Sequence, residues 1–232
     1  MSTNLLGISR RSALRGAAAG LTGALLAAGT AGCTPGGDSS VASTQPSRPP
    51  AGSRESSGRV LLAYFSRAGE NYYYGGRTNL DAGNTEVLAG MISTRVTCDV
   101  HRIEAAEPYP DGYDATVARN VREQDQGARP AIANPLPAID HYDAVILASG
   151  IWNVRAPMIM ATFAENYDFT GITIYPVTTH AMSGLGTTVR DYEASCPGAT
   201  IAEGFSVKGE EVRQAGAEID SWLQRTGLIR AG

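Results

Sequence analysis

The sequence predicts an α/β domain with a parallel sheet covered by helices on both faces, and three observations lead there. From residue 60 to residue 224, strand-length apolar runs alternate strictly with segments of helical apolar spacing. Residues 144–149 are apolar on both faces, as a central parallel strand is. The first run, residues 60–65, opens into a Ser/Gly/Asn/Thr loop that reaches Asn84, Thr85 and Glu86 just before a helix. Backbone amides, hydroxyls and the positive end of a helix dipole can surround a phosphate at such a place without any lysine.

Each element follows in order. After the first strand, residues 87–96 have helical spacing and residues 99–104 read as a short second strand. A polar excursion comes next: Pro108 and Pro110 mark a turn, residues 113–126 a charged surface helix, and Pro130, Pro135 and Pro137 the return. The third strand, 144–149, is followed by a helix over 157–167, with Pro157 suited to its first turn. The fourth strand covers 172–177 despite Pro176, and a helix covers 185–195. A fifth strand over 200–207 leads to a last helix over 210–224, with Val212, Ala215, Ile219, Trp222 and Leu223 on one side.

The N-terminal quarter is of another kind. Ser9, Arg10, Arg11 and Arg15 precede a weakly apolar Ala/Leu/Gly stretch over 16–29, the layout of a twin-arginine export signal. Thr30, Ala31, Gly32 and Cys33 then resemble a bacterial lipobox, which makes Cys33 the expected lipid-bearing residue; ordinary cleavage nearby and free secretion is the alternative. Residues 34–58 are rich in Ser, Pro, Gly and Thr and read as a flexible linker. The domain plan is therefore a signal over 1–33, a linker over 34–58 and a folded domain over 59–232.

Composition removes several function classes. The signal carries three arginines and no acid, so its loss takes the formal charge from −4 to −7, which argues against nucleic acid as a partner. The first loop has no G-x-G-x-x-G and no acid stands cleanly at the end of the second strand, which disfavours a dinucleotide. Lys208 is the only lysine, so there is no Walker loop; there is no G-x-S-x-G elbow, and His and Cys are too few and scattered for a metal site. Cys98 and Cys196 fall at opposite edges of the expected sheet and are expected to be free thiols.

In open parallel sheets a ligand sits beyond the carboxyl ends of the strands, where strand order reverses. The loops after strands one, three and four therefore matter. The first holds Tyr64, Phe65, Ser66, Arg67, Ala68, Gly69, Glu70, Asn71, Tyr72 and then Gly83, Asn84, Thr85, Glu86. The second holds Gly150, Ile151, Trp152 and then Pro157, and the third runs from Thr179 and His180 through Ser183 and Gly184 to Gly186. On these motifs, residues 59–228 resemble a flavodoxin of the branch in which an insertion divides the phosphate loop. The resemblance implies a three-layer sandwich with a five-stranded parallel sheet of order 2-1-3-4-5, and bound FMN.

Carried over position by position, the resemblance gives Ser66, Arg67, Asn84 and Thr85 to the phosphate, with Ala68 in the same loop. It places Trp152, Asn153, His180, Ser183 and Gly184 along the isoalloxazine, with Gly150, Ile151 and Thr179 beside them. Asn84 taken alone would serve equally as a helix cap, and His180 could as well satisfy a backbone carbonyl. The run Tyr72, Tyr73, Tyr74 in a loop beside the phosphate suits a planar ligand. Arg155 reads first as a solvent-facing side chain; it has a chemical consequence if it points inward, where a cation stabilises reduced flavin. The family often has Pro at the position of Gly150 and a second Trp at that of Asn153.

The leading expectation is an FMN protein that moves electrons outside the cytoplasm, tethered to the membrane by lipid and serving a redox partner protein or a small quinone-like acceptor. An FMN-dependent NAD(P)H:quinone-type reductase is the alternative: it needs a pocket above the ring, whereas a carrier leaves only the ring edge exposed. The departures at Gly150 and Asn153 keep a third class open, a surface module that has lost its flavin.

Overall fold

The computed structural model of the protein describes residues 58–230. The expected export signal with Cys33 and the expected linker, up to residue 57, lie outside the described residues. Strand β1 (Val60–Tyr64) is followed by a hairpin of β2 (Gly69–Tyr73) and β3 (Gly76–Leu80), and then by α1 (Asn84–Ser93) and β4 (Asp99–Arg102). Helix α2 (Tyr113–Asp125), β5 (Ala144–Gly150), α3 (Met158–Glu165), β6 (Thr173–His180) and α4 (Thr188–Ser195) continue the alternation. The chain ends with β7 (Thr200–Ile201), β8 (Phe205–Lys208), a 3-10 turn over Gly209–Gln214 and α5 (Gly216–Arg225).

The main sheet runs β4-β1-β5-β6-β7, with β8 also on β6, and every pairing in it is parallel. This is the 2-1-3-4-5 order expected. Alternate side chains of β1 feed two cores. Val60, Leu62 and Tyr64 pack with Leu88 and Ile92 of α1 and with Ile219, Trp222 and Leu223 of α5. Leu61, Ala63 and Phe65 pack with Ile159, Met160 and Phe163 of α3 and Tyr192 of α4. All five residues expected on the inner face of the last helix are buried. Cys98 and Cys196 are free thiols, and burial pushes the Cys196 thiol up to about 12.

Several elements differ from the reading of the sequence; β4 ends at Arg102 rather than residue 104, and α4 begins at Thr188 rather than residue 185. The Tyr-rich insertion is a β-hairpin rather than a loop, with Glu70 opposite Asn79 and Tyr73 opposite Gly76. Its two-residue turn has φ 44° at Tyr74 and 85° at Gly75, the left-handed pair that matches strand twist. Helix α1 begins at Asn84 rather than residue 87, and Gly83 occupies its N-cap, so Asn84 is not the cap. The cap comes from outside: Glu86 donates its amide to Ser66 Oγ at 3.0 Å.

The fifth strand is broken. Thr173 is opposite Thr200, but Val177 is opposite Phe205, so one extra residue is accommodated between β7 and β8. The break falls opposite Pro176, which has no N–H to offer its edge neighbour. The freed Glu203 carbonyl accepts Trp222 Nε1 at 3.0 Å, so α5 seals the bulge. The last helix is itself divided into the 3-10 turn and α5.

Candidate functional site

Strand order reverses between β1 and β5, and a cleft of ≈ 410 Å³ opens there at the carboxyl ends of the strands. The loop after β1 brings Ser66 and Arg67 to it, and the start of α1 brings Asn84 and Thr85. The loop after β5 adds Gly150, Ile151, Trp152 and Asn153, and the end of β6 adds Thr179 and His180. These ten residues, distant in sequence, are those expected at the site. Ala68, Ser183 and Gly184 are not among the residues lining the cleft. The chain past Ala181 turns away to support the loop after β5: a Cβ at Gly186, φ 55°, would overlap the Val154 carbonyl, which accepts the Thr187 amide at 2.8 Å.

At the α1 end the chemistry suits an anion. The first amides of a helix have no intrahelical acceptor. Ser66 Oγ takes that of Glu86, which leaves the Ser66 hydroxyl proton free to donate. The Glu86 carboxylate is drawn aside by Arg102 at 3.1 Å. Thr85 Oγ1 lies 2.8 Å from Thr179 Oγ1, tying the helix start to the end of β6 and leaving one hydroxyl proton of the pair for another acceptor. A Cβ at Gly83 would overlap both Ser66 Oγ and the Arg67 carbonyl, so the close turn needs glycine for space. The Arg67 guanidinium is committed elsewhere: it donates to the carbonyls of Pro110 (3.1 Å), Asp111 (2.8 Å) and Glu70.

The other end suits a flat ring. Trp152 meets Phe65 and Tyr109 edge to face, with centroids 5.7 and 5.0 Å apart. Its amide donates to the Arg155 carbonyl at 2.8 Å across a tight turn in which Asn153 has φ 65°. A Cβ at Gly150 would stand 3.3 Å from Trp152 Nε1, so glycine there lets the indole lie close to the strand end. His180 has its Nδ1 buried without a partner, and burial holds its pKa below the ordinary 6.5. Arg155 turns away and pairs with Asp191 at 3.4 Å beside a second, smaller cavity between α3 and α4.

A whole wall of the cleft escaped the reading of the sequence. Tyr113, Thr116, Val117, Asn120 and Val121 form one stripe of α2 at helical spacing and face the cleft. No α2 side chain joins either apolar core; the helix is held by polar contacts instead. Glu123 accepts from Tyr109 Oη at 2.8 Å and from Arg119 Nε at 2.7 Å, with the Arg119 guanidinium 3.9 Å from the Tyr109 ring centroid. Gln124 Nε2 donates to the Trp152 carbonyl at 3.1 Å. The spacing was the available signal; its many charges directed it to solvent. Asn71 and Tyr72 from the hairpin and Gly209 and Glu210 from the 3-10 turn complete the cleft.

An α/β sandwich with a cleft at the switch point of its parallel sheet defines the doubly wound class of protein. Residues 59–226 match the family model described as Flavodoxin, and the chain belongs to the flavodoxin family. Similar solved structures include a candidate flavoprotein from Bacteroides eggerthii, 25% identical, covering 73% of this chain and 98% of that one, with a TM-score of 0.57. A candidate flavoprotein from Bacteroides uniformis is 24% identical over 70% of this chain and 98% of that one, with a TM-score of 0.56. A Lactobacillus acidophilus flavoprotein solved in complex with FMN is 16% identical over 68% of this chain and 97% of that one, with a TM-score of 0.48. No curated protein matches the chain by sequence.

Proposed function

We propose that this protein binds FMN and transfers electrons outside the cytoplasm, held to the membrane by a lipid on Cys33. One observation carries the FMN reading: the capped start of α1 and the loops after β1, β5 and β6 converge on a single cleft of mononucleotide size. Ser66, Asn84 and Thr85 with the first α1 amides would hold the phosphate; Trp152, Asn153 and His180 would border the ring. Bound FMN supplies the redox chemistry, and the chain's part is to orient it and set its surroundings. Val117 and Val121 of α2 line the cleft and are exposed. Exposed apolar side chains beside the site suit a docking electron partner. The α2 wall favours a second reading, a reductase of small acceptors, because it adds an apolar side to the space beside the ring.

The test is expression of the full chain with export intact, an absorbance spectrum, and rapid mixing with NADH and NADPH. A yellow protein that a pyridine nucleotide does not bleach supports the carrier; fast bleaching supports the reductase; a colourless protein after FMN addition removes both. Asn84→Ala with Thr85→Val should release FMN while leaving the far-UV circular dichroism unchanged, and Cys33→Ser should move the protein from the membrane to the soluble fraction.

A further inference from the structure

The hairpin of β2 and β3 crosses one end of the cleft, and it is fixed very differently on its two sides. Toward α2 it is riveted. Glu70 Oε2 accepts the Tyr113 amide at 2.9 Å, the Glu70 amide donates to the Asp111 carbonyl at 2.8 Å, and Arg77 pairs with Asp114 through both nitrogens at 2.9 and 2.7 Å. Toward the far bank one bond closes the span: the Tyr74 amide, at the tip, donates to Glu210 Oε1 at 3.0 Å. Among the described residues no other hydrogen bond or ion pair joins the hairpin to the segment after β8.

Glu210 belongs to the phosphate end of the cleft through its neighbour. Gly209 packs so tightly on Asn84 that a Cβ there would overlap Asn84 Nδ2. Gly209 thus seats the Asn84 side chain from behind, and Glu210 fastens the hairpin in front, while Asn71 and Tyr72 of β2 form the cleft wall between them. We infer that Glu210 is a clasp: its bond to Tyr74 keeps the hairpin across the cleft, and the opening of that bond governs the rate at which a bound mononucleotide leaves. This role rests on the FMN reading above. Glu210 acts through the hairpin and is a positioning residue.

The test compares the full-chain protein with Glu210→Ala, which removes the acceptor, and Glu210→Gln, which keeps a carboxamide oxygen in place of the carboxylate. Two quantities are read: amide hydrogen exchange of the Tyr74 segment in protein without flavin, and FMN release, followed by recovery of free-flavin fluorescence after dilution. Glu210→Ala should accelerate both by about tenfold, the scale of one hydrogen bond to a charged acceptor, and Glu210→Gln should stay within about threefold of wild type. Release from Glu210→Ala at the wild-type rate overturns the clasp, and so does Glu210→Gln releasing as fast as Glu210→Ala. Wild-type protein that takes up no FMN overturns the cofactor reading and the release role with it; Tyr74 exchange then still decides whether Glu210 holds the hairpin.

Discussion

Gly83 shows how a single residue shapes the anion cradle. Its φ of −66° is open to any residue, so only space demands glycine there. Gly83→Ala should destabilise the fold by about 1–3 kcal/mol through overpacking and should weaken FMN binding by shifting the α1 start. Equilibrium denaturation and flavin titration measure the two effects separately. His101 and His180 contribute to the response to acid. Each has a ring nitrogen buried without a partner, and burial holds each below the ordinary 6.5. Between that value and their folded values the unfolded chain binds more protons than the folded one. Their contribution to stability is therefore full above pH 6.5 and falls as the pH drops through the folded values. Melting temperature should decline from about pH 6.5 downward, and His101→Phe, beside Phe163, should flatten that decline. At this scale the sequence was readable where chemistry is local: Ser66, Trp152 and His180 stand at the cleft as expected. It was opaque where a side chain has two directions open to it: the Arg67 guanidinium went to backbone carbonyls, whereas Arg155, read first as facing away from the ring, does so and meets Asp191.

Strands and helices of the sheet were legible because burial on two faces leaves an unbroken apolar run, as in residues 144–148, all of them buried. Elements that rest on polar contacts were not. The hairpin has no apolar alternation, and its turn residue Tyr74 adopts a left-handed φ of 44° that its side chain does not advertise. Helix α2 was found, but its buried residues are Thr116, Asn120 and Glu123, so its helical spacing alone, without an apolar face, did not direct it to the cleft. The anchor of this helix is testable. Glu123 is buried between Tyr109 and Arg119, and burial together with the bond to Glu123 pushes the Tyr109 phenol far above its ordinary value. Glu123→Ala leaves the Arg119 guanidinium, its side chain 12% exposed, without its closest acceptor. It should cost about 3 kcal/mol. Because α2 is a wall of the cleft, the same substitution should weaken FMN binding, whereas Arg122→Ala, on the exposed side of α2, should change neither quantity.

Across the whole molecule, charge is the property that reaches the site. The chain is acidic, with a formal net charge of −4, and residues 34–232 alone carry −7. The charged side chains lining the cleft are Arg67, occupied by three carbonyls, and Glu210. The cation that could have offset them, Arg155, is paired with Asp191 outside the cleft. A reduced flavin carries more negative charge than an oxidised one, so an acidic surround disfavours reduction and lowers the potential of the bound cofactor. Part of this field comes from exposed carboxylates at a distance, and salt screens such charges beyond about 10 Å at 0.1 M. The midpoint potential of the bound flavin should therefore lie below that of free FMN and rise as sodium chloride is increased. Arg155→Ala leaves the Asp191 carboxylate without this partner and adds one negative charge outside the cleft, so it should lower the potential slightly and the difference should fade in salt, whereas loss of an inward-facing cation would lower it at every salt concentration. Equilibrium redox titration at two salt concentrations distinguishes these cases; a potential indifferent to salt would show that the groups touching the ring, rather than the charge of the molecule, set it.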